Sequence, residues 1–143
     1  MKTDEPFSET LKLDIDIRDF RLVKKIFTQR CSFVLNVLKI WPMGLRVYST
    51  KKGYHIYFDI KGVYTSFDIC FLQLALGSDY KREVFNFKRF SEELGKEWNV
   101  LFKEKYDAKG RLLSRECAEP SLSGELFEAV RDVVNYRHIQ GGD

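Results

Sequence analysis

The stretch "LRVYSTKKGYHIYFDIKG", residues 45–62, decides the fold. β-Branched and aromatic residues run through it on both sides of "KKG", so it reads as two strands, 45–50 and 54–62, closed into a hairpin. A histidine, His55, falls where the second strand resumes. The polar insertion is either an ordinary turn or a site that grips phosphate. Gly53 permits a tight backbone turn, Lys51, Lys52 and the Ser49 hydroxyl are donors to phosphate oxygens, and the His55 imidazole adds another.

Working outward, "LKLDIDI" (11–17) sets Leu11, Leu13, Ile15 and Ile17 against Lys12, Asp14 and Asp16, the period-two pattern of a strand with one apolar face. Residues 18–40 place Phe20, Val23, Phe27, Val34 and Leu38 at helical spacing, and "WPMG" (41–44) offers a stop. After the hairpin, 66–76 reads as an apolar helix with Ser66 or Asp68 near its start and Gly77 at its end. "REVFNFKRF" (82–90) alternates as a further strand. Residues 98–117 suggest a hairpin turning at 107–110, and 123–139 an amphipathic helix. The order β-α-β-β-α-β, then hairpin and helix, predicts an α+β protein of the split-βαβ, ferredoxin-like (RRM-like) plan, an antiparallel sheet with helices on one face. The expected organisation is a single domain over 1–143, with a core at about 11–90 and a C-terminal hairpin and helix at 98–139.

With 143 residues, 44% of them hydrophobic and 15% aromatic, the chain has ample material for one core. A net charge of +3 is too small to demand a nucleic-acid partner by itself. The basic runs at 24–25, 51–52, 81–82 and 88–89 make the first two thirds the expected contact surface. Cys31, Cys70 and Cys117 are widely spaced, which suggests neither a disulfide framework nor a zinc site. The polar start "MKTDEPFSET" and the lack of a long apolar run lead us to expect a soluble, cytoplasmic protein.

Asp14 and Asp16 are the first candidate site. Side chains two apart on a strand share a face, so the carboxylates repel unless a cation lies between them, and hard oxygen ligands suit Mg2+ or Mn2+. The alternative is the solvated outer face of an edge strand. Taken with the hairpin, "LDIDI", a helix and then "RVYSTKKGYHIYFDI" resembles the archaeo-eukaryotic primase superfamily, which includes the polymerase domains of bacterial end-joining ligases. Asp14 and Asp16 match its h-D-h-D strand, and Ser49, Gly53 and His55 match its S-G-x-x-G-h-H motif, with Thr50 in place of the usual glycine. In "REVFNFKRF", Asn86 stands where the third acid of an h-h-D strand belongs. "LGSDYKREVFNFKR" also resembles a pattern of short primase-like proteins from archaeal viruses and plasmids.

The resemblance implies a primase-polymerase-like nucleotidyltransferase core acting in nucleic-acid replication. Its metal ligands would be Asp14, Asp16 and position 86, and the catalytic set would be Asp14, Asp16 and His55. Ser49, Lys51, Lys52, Gly53, His55, Arg82 and Arg89 would hold phosphate. The partners implied are a nucleoside triphosphate and a single-stranded nucleic-acid template, without a membrane, and Mg2+ or Mn2+ would bind with the nucleotide. Asn86 in place of an acid supports an alternative: a catalytically inactive module that binds nucleic acid or a replication partner. A small structural or host-interaction protein with accidental motifs is a third reading. Rolling-circle initiators fit poorly, because His55 and His138 are far apart. Asp59 and Asp68 are possible substitute acids, Asp68 fitting better as a helix cap. Tyr48, Tyr54, Tyr57, Phe85 and Phe87 are candidates for base stacking or for the core.

Overall fold

The computed structural model describes residues 7–92 and 98–135. In chain order these form β1 (Ser8–Ile15), α1 (Phe20–Leu38), β2 (Pro42–Ser49), β3 (Tyr54–Lys61), α2 (Ser66–Ala75), α3 (Tyr80–Glu92), β4 (Glu104–Tyr106), β5 (Leu112–Arg115), β6 (Cys117–Ala118) and α4 (Pro120–Val133). The class is α+β, as the pattern predicts, with a four-stranded antiparallel sheet in the order β1-β3-β2-β6 and a separate β4-β5 hairpin. Since β1 and β2 both run antiparallel to β3, they are parallel to each other and flank it, the arrangement of a split βαβ unit.

Alternation along the strands explains the two faces. Leu11, Leu13 and Ile15 of β1, Ile56, Phe58 and Ile60 of β3 and Leu45 and Val47 of β2 point to one side. There they bury against Val23, Phe27, Cys31, Val34 and Leu35 of α1, Ile69 and Leu72 of α2 and Leu126 and Val130 of α4. Phe27 meets Phe58 edge-to-face at 5.5 Å. Truncating Phe27 to alanine in such a core costs about 3–5 kcal/mol.

Local chemistry sets the ends of the helices. Asp19 caps α1 by accepting from Arg21 N, and Lys39 ends it in the left-handed region at φ 58°, with its N–H returned to the Leu35 carbonyl. The helix therefore stops before "WPMG", and Pro42 begins β2, a strand position that tolerates its missing donor. Thr65 and Asp68 form a capping box at α2, which gives Asp68 the capping role rather than an acid's. α4 starts at Pro120, earlier than the predicted 123, and ends at Val133. Residues 136–143, with His138, lie outside the described residues.

One element departs from expectation. Residues 82–90 form no strand; they belong to α3. The free edge of β1, where a fourth strand would pair, is met by side chains and backbone of the α2–α3 unit instead. Lys12 N donates to Gln73 Oε1 at 2.9 Å, Asp14 N to Ser78 Oγ at 3.1 Å, and Asp79 N to the Asp14 carbonyl at 2.7 Å. Arg82 Nη1 donates to the Lys12 carbonyl at 2.6 Å. Every edge group so engaged is one that an exposed strand would leave open to pairing with another chain.

Candidate functional site

On the face of the sheet opposite the core, register sets the side chains in rows. Asp14 pairs with His55, and His55 with Tyr48; one row along, Lys12 pairs with Tyr57, and Tyr57 with Arg46. Asp14 and His55 therefore project together, with Asp16 two residues further along. Asp14 Oδ1 lies 3.6 Å from His55 Nε2. Asp14 lies on β1, directly beside the His55 strand and at the edge of the hydrogen-bonded sheet, and Asp16 follows just past the end of β1.

Residues 98–116 return over this face and roof it. Asn99 O accepts from Lys12 Nζ at 3.1 Å, and Ser114 Oγ accepts from Lys51 N at 3.3 Å. Two adjoining concavities remain, and Asp14, Asp16, His55, Phe102 and Lys105 line both. The cavity toward α3, about 210 Å³, adds Asp79, Lys81, Arg82, Phe85 and Arg89. The cavity toward the β2–β3 turn, about 180 Å³, adds Thr50, Lys51, Lys52 and Ser114.

Glu116, which no motif singles out, completes the centre. Its side chain is only 6% exposed, and Oε2 lies 2.7 Å from His55 Nδ1 and 2.5 Å from the Tyr57 hydroxyl. A carboxylate accepts and does not donate, so Nδ1 carries the proton and Nε2 faces Asp14 and the cleft. The Tyr57 hydroxyl is pushed well above its ordinary pKa by burial, then by its bond to Glu116, so it stays a donor. The only sequence signal for Glu116 is an acid near the end of a hairpin, 61 residues from His55.

Asp14 has an uneasy charge. Burial raises its pKa; His55 pulls it down, the like charge of Asp16 raises it again, Lys105 and Arg82 pull it down, and the net direction is upward. An ionised Asp14 is thus a group that a cation in the cleft would stabilise.

The other sequence candidates divide. Lys51 and Lys52 are exposed on the cleft wall. Ser49 belongs to the opposite face, where its hydroxyl donates to Glu119 Oε2 at 2.7 Å, so it does not join His55. Gly53 has a structural role. A Cβ there would sit 2.1 Å from the Ile15 carbonyl oxygen and 2.7 Å from Ile17 N, so only glycine lets the turn lie against the end of β1. Arg82 lines the cleft, but its guanidinium is taken up by Glu83 and by the Lys12 and Val100 carbonyls; Arg89 donates to Asn86 Oδ1 at 2.9 Å.

Asn86 requires a correction. It stands on α3, fully buried, donating to Glu83 Oε1 and Asn99 Oδ1 and accepting from Arg89 and Val100 N. It offers nothing to a cation beside Asp14. Asp59 shares the His55 face but lies four residues along β3, about 13 Å at strand rise, and accepts from the Thr10 hydroxyl. Tyr48 and Tyr57 share the roofed face, with Arg46 5.1 Å over the Tyr57 ring, while Tyr54 packs edge-on against Phe20. Phe85 and Phe87 are exposed on α3.

Among the described residues no group of three or more His, Cys, Asp or Glu side chains is arranged to hold a metal ion, and no helix is long and apolar enough to cross a membrane. Comparisons with protein-family models, with curated proteins and with solved structures return no significant match.

Proposed function

We propose that the chain is a primase-polymerase-like nucleotidyltransferase core that takes a metal-complexed nucleoside triphosphate into the Asp14–Asp16–His55 cleft. The observation that carries this reading is the meeting of Asp14, Asp16 and His55 in one cleft walled by Lys51, Lys52 and Lys105. Two carboxylates that repel each other beside three lysines suit a ligand that brings both cation and phosphate.

Asp14 and Asp16 supply hard oxygens fit for Mg2+ or Mn2+, although two residues leave the remaining ligand positions to the nucleotide's own oxygens. Such an ion supplies neutralisation of the triphosphate charge. Lys51, Lys52 and Lys105 donate to phosphate oxygens, and Glu116 aims His55 Nε2 into the cleft. A single-stranded template would follow the neighbouring concavity of about 470 Å³, where Arg46 and Lys103 offer cations beside Tyr48 and Arg115 is paired with Glu104.

The position of residue 86 favours a second reading, in which the cleft binds nucleotide or nucleic acid without transferring it. A buried amide on α3 adds no third charge to the two aspartates. Primer extension with Mn2+, run on the wild type and on Asp14→Asn beside a nucleotide-binding assay, separates the two. Extension by the wild type that is lost in Asp14→Asn supports the enzyme. Binding without extension supports the second reading, and the absence of both contradicts each.

A further inference from the structure

The cleft holds two large rings that its acids and lysines do not explain. Phe102, 57% exposed, stands at the boundary and lines both cavities; Phe85, 58% exposed, reaches the α3-side cavity from the helix. Apolar rings of this size beside carboxylates and ammonium groups forgo burial, which an apolar-faced ligand would restore. Both cavities carry polar donors: Thr50, Lys51, Lys52 and Ser114 line the turn-side cavity, Lys105 lines both, and Lys81, Arg82 and Arg89 line the α3-side cavity. There Arg82 is held by Glu83 and the Lys12 and Val100 carbonyls and Arg89 by Asn86, so the adjacent lysines of the turn are the donors open to a phosphate.

We propose that Phe102 and Phe85 form a nucleobase-stacking site, so that a nucleoside triphosphate lies across both cavities with its base against these rings and its phosphates toward Lys51, Lys52 and Lys105. This rests on the nucleotide reading above and adds an orientation to it. Asp14, Asp16 and His55, which line both cavities, then stand at the junction of nucleoside and triphosphate. Every base has a π-face, so stacking here makes the site demand an aromatic ligand without demanding a particular base.

The test compares ATP with inorganic tripolyphosphate, each with Mn2+, by calorimetry on the wild type, Phe102→Ala, Phe102→Trp and Phe85→Ala. ATP binds the wild type about tenfold or more tightly than tripolyphosphate, the range expected of one base-aromatic stack. Phe102→Ala loses that margin and leaves tripolyphosphate binding unchanged, Phe85→Ala loses part of it, and Phe102→Trp keeps it. Both rings are largely exposed, and unchanged thermal unfolding of the variants confirms that the fold persists. Equal affinity of the wild type for ATP and tripolyphosphate overturns the stacking site while leaving the phosphate site standing, as does an ATP affinity indifferent to both alanine variants. Failure of the wild type to bind either ligand overturns the nucleotide reading and this site with it.

Discussion

The Nδ1 of His55 lies 2.7 Å from Oε2 of Glu116, an acid that enters from the roof over the sheet, and this contact fixes which imidazole nitrogen faces Asp14. Removing Glu116 leaves the Nδ1–H and the Tyr57 hydroxyl without their acceptor. Glu116→Ala should destabilise the protein by about 1–3 kcal/mol, and Glu116→Gln by less, because the amide oxygen still accepts. Urea unfolding measures the loss. Nitrogen-15 shifts of His55 report the tautomer, with the Nδ1–H form dominant in the wild type and the preference weakened in Glu116→Ala. An unaltered tautomer in that variant would show that Glu116 does not orient the ring.

Asp14 should trade stability for its place in the cleft. Its folded pKa lies above the ordinary 3.8, because of burial first, so the ionised form is disfavoured by folding. The sign follows: stability from this group is full below the unfolded value and is lost as pH rises through the folded one. Near neutrality Asp14→Asn should therefore unfold at a higher temperature than the wild type, and the advantage should vanish in acid well below the ordinary value. Paired melting curves at the two pH values check this; a less stable Asp14→Asn at neutral pH would mean that ion pairing with His55 outweighs burial.

The polar cluster beside β1 should be among the most sensitive parts of the fold. Arg82 holds the Lys12 and Val100 carbonyls, Asn99 and the buried Glu83 together. Arg82→Ala strands Glu83 and opens the strand edge, at a cost of about 3–5 kcal/mol, with aggregation through β1 as a second symptom. Chemical denaturation and light scattering measure the two effects. A loss under about 1 kcal/mol would show that Gln73, Ser78 and Asp79 hold the edge without Arg82.

Gly53→Ala tests the seating of the turn. The added methyl meets the Ile15 carbonyl, so the 50–53 turn must lift from β1, costing about 1–3 kcal/mol and displacing Lys51 and Lys52 from the cleft wall. Thermal unfolding together with nucleotide binding checks both, and an unperturbed variant would contradict the close approach.

The strands were legible because period-two alternation is written directly into 11–17 and 45–62, where one face is apolar and the other carries Asp14, His55 and Tyr57. The candidate acids followed from the same alternation. α3 was hidden because its amphipathicity is inverted: Arg82, Glu83 and Asn86 are buried, while Val84, Phe85 and Phe87 are exposed. Apolar spacing alone gives the strand reading of 82–90, whereas the helical period resides in the polar residues 79, 82, 83, 86 and 89. Asp79, whose carboxylate accepts from Arg82 N, was the available start signal. Glu116 was illegible for a different reason: its partners lie in another part of the chain, and pairing across a fold leaves no local pattern.

The most direct measurement is calorimetric titration of a nucleoside triphosphate, with and without Mn2+, into the wild type and the Asp14→Asn, Asp16→Asn double variant. If the two aspartates share a cation with a bound triphosphate, Mn2+ tightens nucleotide binding to the wild type about tenfold or more, and the double variant loses that gain while retaining metal-independent binding through the lysines. A gain from Mn2+ that persists undiminished in the double variant, or negligible heat in the wild type under both conditions, would contradict a metal-nucleotide site at Asp14 and Asp16.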